Sequence, residues 1–458
     1  MGTKLNYKYT KMKKGERQYD IKCQGERVDA VYVKSANPAY NGNPFLEAIP
    51  RPRTRDEIIS DCAKGVPGYD RQTALAMSTE DKQVMYPALK DWRFILPYQH
   101  KLETQFALGL QLSYAKRNID ILQTSNGSVV ELSSGGSSPY EPFTLLDISG
   151  TGKSTSIDAL LSGYPQVIQH EFDGLRISQI LYLYAVCPPN SNMSTLFETI
   201  AKKIDRACGY GEEIYQKQVR KAKNLGEKAG IITDLINRFA IGAIVLDEIQ
   251  SLDMEKSKES SINYLLSIVN DTGVNLCVAG TEEGYDKVFK TRKIEKRTGV
   301  DPSEEMNYYE DPKFFVAMLT DLFQYQWFDE EVSLTKDMID MFYMKTNGIV
   351  DDMVKLFVYM HKDYLDRPAR KRPVVDAAFI KTTSEKNFPK REALYENAQA
   401  AKTRNINKLK SDRERFGGEE LPKPPKKKKQ KTDTSIDTNV SRLQIEGSIY
   451  NPEDTTNA

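Results

Sequence analysis

The chain has 458 residues, 39% hydrophobic and 28% charged, and its 65 basic residues nearly balance its 64 acidic ones for a net charge of +1. That length accommodates two or three compact domains and the composition is that of a water-soluble globular protein; no apolar run approaches the roughly 20 residues that a membrane helix needs. Five scattered cysteines with no Cys-x-x-Cys pair, and three distant histidines, argue against a disulfide framework or a zinc centre.

Residues 1–110 read as a polar, tyrosine-bearing accessory region, in which YDIKCQGERVDAVYV alternates like a hairpin and NPAYNGNPFLEAIPRPRTRDE is punctuated by turn residues. The opening MGTKLNYKYTKMKKGERQYD lacks the apolar centre of a signal peptide, which makes the cytoplasm the expected compartment and leaves no role for a membrane. Between residues 111 and 305 short apolar runs alternate with helical patterns. FTLLDI is followed by a helix opening at Lys153, ILYLYAV by a long helical stretch to Phe239, and AIVLDE by a helix near Asn263 and the run VNLCVAG. This is the α/β signature of a parallel sheet with helices on both faces.

From 306 to 395 the pattern is helical only: FFVAMLTDLF, MIDMFYM and MVKLFVYM each space apolar residues by three and four, as a small helical lid would. Residues 396–458 are polar and basic, with clustered prolines and a lysine block at Lys426–Lys429, a composition that disfavours a packed core. A solubilising linker or an added attraction for DNA both fit that block.

LLDISGTGKSTSIDALL places a glycine-bearing loop between an apolar strand and a helix. In such a loop the backbone N–H groups of Ser149, Gly150, Thr151, Gly152, Lys153, Ser154 and Thr155 and the positive helix end face phosphate oxygens; the Lys153 ammonium reaches the outer phosphates, and the Ser154 hydroxyl ligates magnesium. The usual first glycine of the pattern is replaced by Asp147, whose charge is unfavourable beside phosphates. AIVLDEIQSL supplies the second half of the site: Asp247 to hold magnesium and Glu248 to polarise the attacking water. Together the two motifs predict an AAA+ P-loop ATPase that uses ATP and Mg2+. Thr281, closing VNLCVAGT, is either a polar sensor of the terminal phosphate or a simple strand-end threonine. Arg292 and Arg297 are either arginines donated to a neighbouring subunit's ATP or solvated basic residues. In the lid, TNGIVDDMVKLF carries Asp351 and Asp352 where a second sensor arginine is common, with Lys355 the closest cation.

These residues resemble a specific group. NPFLEAIP, SYAKRN, SGTGKST with GYPQVIQHE, AVCPPNSNMSTLFETIAKKID, VLDEIQSL, VAGTEEGY and NGIVDDMVKLF occur in the order found in the TnsC family, the AAA+ regulators of Tn-seven-like transposons related to TniB. The resemblance implies an ATP-dependent homo-oligomer, ring or filament, on double-stranded target DNA. It would link a target-selection protein of the TniQ or TnsD kind to transposase subunits of the TnsA and TnsB kind, and ATP hydrolysis would dissolve the assembly. Lys217, Arg220, Lys221 and Lys223 in YQKQVRKAKNLGEKAG are candidates for sequence-independent phosphate contacts, or an ordinary solvated helix face. Two other readings compete: a nucleotide-binding DNA scaffold with poor hydrolysis, motivated by Asp147 and the missing lid arginine, and a replication-initiator or loader ATPase, which would carry a DNA-reading helix-turn-helix after the lid.

Overall fold

The computed structural model describes residues 7–115, 117–124, 127–134, 143–147, 149–172, 175–189, 192–252, 260–281 and 312–389. Arg292, Arg297 and the tail from residue 390 on lie outside the described residues. The described chain forms two compact units, residues 7–62 with 95–281 and residues 63–94 with 312–389.

In the first unit the chain runs through strand β1 (Arg27–Asp29), helix α1 (Gln99–Ala115), strands β2 (Arg117–Thr124), β3 (Gly127–Ser134) and β4 (Thr144–Leu146), and helix α2 (Lys153–Leu161). Strands β5 (Val167–Phe172), β6 (Leu175–Ile180) and β7 (Tyr182–Val186) follow, then helices α3 (Met193–Ala207), α4 (Ile214–Lys221) and α5 (Leu225–Arg238), strand β8 (Ala243–Asp247), helix α6 (Ser260–Thr272) and strand β9 (Asn275–Gly280). The four apolar runs read from the sequence become one parallel sheet in the order β4-β9-β8-β7. β8 and β9 are buried along their whole length, as expected of strands covered on both faces.

Alternation along each strand divides the core. Leu183, Ala185, Ile244, Leu246, Leu276 and Val278 pack with α3, α5 and α6, whereas Tyr182, Ala243, Val245, Cys277 and Ala279 pack with α1 and α2. The long helical stretch to Phe239 is made of three helices. Gly209 takes a left-handed φ of 76° just beyond α3, and the Asn224 side chain accepts from Glu227 N to start α5, so local punctuation interrupts a continuous apolar period.

The leader does not form the expected hairpin. Arg27–Asp29 instead pairs in parallel with Val167–Gln169, on the edge of the β5–β6 hairpin, because half-burial sets the alternation of a strand without naming its partner. A buried relay fastens the leader there. Gln179 Nε2 donates to the Phe45 carbonyl (3.1 Å), which turns its Oε1 toward His170 Nε2–H (2.9 Å) and leaves His170 Nδ1 to accept from Tyr32 Oη (3.0 Å).

The second unit holds α7 (Pro312–Leu322), α8 (Lys336–Thr346), α9 (Val350–Leu365) and α10 (Ala377–Asn387). Its core joins Phe315, Leu319, Trp327, Phe342, Leu356 and Phe357 to Leu89 and Trp92, and Trp92 Nε1 donates to Asp321 Oδ2 (2.7 Å). Residues 63–94 therefore pack within the helical unit, a grouping that sequence order conceals. Lys355 pairs with Asp351 one turn away on α9 (2.5 Å). None of the described helices is long and apolar enough to cross a membrane.

His170 and His361 are fully buried, and burial pushes their imidazoles down to about 4 and about 3. His361 donates from Nδ1 to the Phe357 carbonyl (2.8 Å) and accepts at Nε2 from Trp327 N (3.2 Å), contacts that suit the neutral ring. The unfolded chain, with an ordinary histidine value of 6.5, binds these protons first. Stability is therefore complete above that value and falls as the pH drops below it. Between pH 7 and pH 5 each histidine should remove about 2 kcal/mol. Denaturant unfolding at both pH values, with His361→Gln reducing the difference, checks this.

Candidate nucleotide-binding site

The site lies where β4, β8 and β9 end. After β4, Asp147 continues the pairing through its N–H to the Gly280 carbonyl (3.2 Å), and the chain then turns through Gly150 and Gly152, at φ 92° and 93°. Those left-handed values favour glycine. Gly152 is the residue before α2, so the loop leads straight into a helix N-terminus with Lys153 and Ser154 in its first turn. Thr151 and Lys153 are buried, Ser149, Ser154 and Thr155 are exposed, and Gly150 and Gly152 lie between.

The two motifs meet. Ser154 Oγ donates to Asp247 Oδ2 at 2.7 Å, and Asp247 is 1% exposed. Its other oxygen, Oδ1, accepts from Glu248 N (2.8 Å). Lys153 Nζ donates to the Asp147 carbonyl (3.0 Å). Burial pushes the Lys153 ammonium below its usual range, opposed by the charges of Asp147, Glu248 and Asp247, so all three acids act on this one cation. Glu248 adopts left-handed backbone angles, φ 56° and ψ 43°, sparsely populated for a residue with a side chain. Thr281 follows β9, and its N–H donates to Gln250 Oε1 (3.1 Å).

This set fits a nucleotide triphosphate and a hard divalent cation: a glycine-permitted loop, a buried ammonium on a backbone carbonyl, and a hydroxyl against a buried carboxylate, all oxygen donors on the cation's side. Lys217, Arg220, Lys221 and Lys223 are exposed. On α4 Lys217, Arg220 and Lys221 lie opposite Tyr215, Gln216 and Val219, which are buried, and the N-terminus of α4 is held by Asp205, whose carboxylate accepts from Tyr215 N (2.9 Å) and Gln216 N (3.0 Å). Arg220 lies 3.5 Å from Glu198.

Three supports of the site escaped the sequence reading. Tyr184 Oη donates to Asp247 Oδ2 (2.8 Å), the same oxygen that Ser154 uses; the signal was a pair of tyrosines in an otherwise apolar strand. Tyr98 Oη and Ser156 Oγ are hydrogen-bonded (2.8 Å), and Gln99 Nε2 donates to the Ser156 carbonyl (3.1 Å), bracing α2 from the start of α1. Arg53, 5% exposed, donates through Nη2 to the carbonyls of Ala159 (2.8 Å) and Leu160 (3.3 Å) at the far end of α2, and pairs with Glu103 of α1 (2.9 Å). No local pattern marks it among the arginines of the leader.

Residues 148–289 match the family described as AAA domain. The core is an AAA+ P-loop fold. Among solved structures the chain is similar to Cdc6p from Pyrobaculum aerophilum, at 16% identity and a TM-score of 0.38 over 60% of this chain and 64% of that one. It is also similar to a Walker-type ATPase of Pyrococcus abyssi, at 13% identity and a TM-score of 0.32 over 60% and 73%. The chain thus covers less than two thirds of the Pyrobaculum protein. No curated protein matches it. None of these matches is specific to the TnsC family.

The charge beside Lys153 generates a prediction. Asp147→Asn keeps the side chain's shape and removes a charge that acts on Lys153, so affinity for a non-hydrolysable ATP analogue should rise about threefold to tenfold. Lys153→Ala should abolish binding. Calorimetric titration of both variants reads the two effects directly; unchanged or weaker affinity in Asp147→Asn would show that the carboxylate does not oppose phosphate.

Proposed function

We propose that this chain is an ATPase whose nucleotide state controls its assembly on duplex DNA, as a regulator of transposition of the TnsC type. The observation that carries the ATPase reading is the 2.7 Å contact between Ser154 and Asp247, which joins the loop and the acidic strand end into one site. In this reading the backbone of residues 149–155 and the Lys153 ammonium bind the phosphates, Ser154 and Asp247 hold Mg2+, and Thr281 senses the terminal phosphate. The metal supplies charge neutralisation on the phosphate oxygens. Glu248 takes a proton from water as that water attacks the terminal phosphorus, and ADP leaves. Arg292 and Arg297 are the candidates for an arginine supplied to a neighbouring subunit.

The DNA half of the proposal is supported by the order of motifs shared with TnsC proteins and by α4. Lys217, Arg220 and Lys221 project from its exposed side with no acid among the exposed residues of that helix. Such a face meets phosphates and ignores base sequence. A target-selection protein and transposase subunits are the partners this role requires. The scaffold reading keeps one specific support, the Asp147 charge acting on Lys153. Phosphate release in the presence of DNA separates the two, since a scaffold turns over no faster than a Glu248→Gln control.

Glu248→Gln should keep nucleotide and metal binding while removing the base, and so trap ATP-bound oligomers on DNA; a variant that stays monomeric by sedimentation with ATP and duplex would overturn the assembly mechanism. Reversing Lys217 and Lys221 to glutamate should weaken DNA binding irrespective of sequence and reduce the logarithmic salt slope by about 2. An unchanged slope would remove α4 from the interface.

A further inference from the structure

Gln250 carries a contact pattern that the proposed chemistry does not yet use. It lies in the short turn that follows Glu248, two residues along the chain. Its Nε2 donates to Glu248 Oε2 (2.5 Å), and its Oε1 accepts from Thr281 N (3.1 Å). Exchanging the ends of the amide would set oxygen against carboxylate and N–H against N–H, so the two contacts fix its orientation together. Gly280 makes room for it. A Cβ at that position would stand 2.6 Å from Gln250 Oε1 and 2.5 Å from Ile249 Cγ2, so only glycine lets the end of β9 lie against this turn.

We infer that Gln250 is a positioning residue: one side chain aims the Glu248 carboxylate and ties it to the backbone at Thr281. The inference rests on the ATPase reading above. An N–H donated to Oε2 occupies that oxygen, which leaves Oε1 to take the proton from water. The left-handed backbone at Glu248 gives a reason why such a tie is needed, because a residue held in that region is retained only where its surroundings over-determine it. Displacement of the chain at Thr281 moves Gln250 Oε1 with it, and through the same rigid amide it moves the donor on Glu248. The end of β9 and the base are thereby coupled through Gln250.

The test uses the full chain with duplex DNA and two measurements: ATP turnover and affinity for a non-hydrolysable ATP analogue. Gln250→Ala should lower kcat about tenfold to a hundredfold, with affinity held within about twofold. Gln250→Glu is nearly isosteric and keeps an acceptor for Thr281 N but loses the donor to Glu248, so it should lose kcat to a similar extent with affinity again held. A purely structural role would lower kcat and affinity together or leave both unchanged in Gln250→Glu, and that variant remains decisive if Gln250→Ala melts early. A wild-type chain that turns over ATP, with both variants matching it in kcat, would overturn this assignment alone. A wild-type chain no faster than Glu248→Gln would overturn the ATPase reading and this assignment with it.

Discussion

The hydrogen bond from Ser154 to Asp247 is the constraint on which the rest of the site turns, because these two residues belong to chain segments that nothing local holds together. They meet through topology. β4 and β8 run in the same direction on either side of β9, so the loop after the first and the acids after the second emerge at one edge of the sheet. Parallel strands covered by helices on both faces favour such an edge as a binding crevice. The apolar alternation along β7, β8 and β9 is thus a requirement of the chemistry as well as of the core: a slip of one residue in β8 would exchange Leu246 and Asp247 between faces.

The acids of the site all act in the same direction on a single cation. In the proposed chemistry Asp247 and Glu248 would handle metal and water, whereas Asp147 stands in the loop itself, its carbonyl accepting from the lysine and its charge acting on it. With the ammonium buried, each of those charges is screened less than it would be in water. The loop therefore presents less net positive charge to a phosphate than one with glycine at the position of Asp147 would.

Much of the core was legible because its signals are local. The apolar runs became the strands β4, β7, β8 and β9, and SGTGKST became a turn and a helix start. What remained hidden depends on distant pairing. The alternation of residues 19–33 is the same whether the strand folds back on itself or joins β5, and distant contacts such as the His170 relay and the bonds of Glu26 and Arg27 favour the second. The division of the leader at residues 62 and 94 was equally invisible, since Leu89 and Trp92 are ordinary apolar residues until Phe315 and Trp327 are placed beside them. Within the site, Lys153, Ser154, Asp247 and Glu248 are brought together, while Tyr184, Gln250 and Arg53 act through partners that sequence spacing does not reveal.

Arg53 has a consequence of its own. Its guanidinium grips the terminal carbonyls of α2 and the Glu103 carboxylate of α1 at once, so a single buried charge laces the leader, one flanking helix and the helix after the glycine loop into a common frame. The negative end of α2 is answered by this arginine, which leaves the helix little freedom to slide along its axis. In the proposed reading, a force exerted on the leader has a rigid route to the nucleotide, running through the back of the helix and not through its exposed loop.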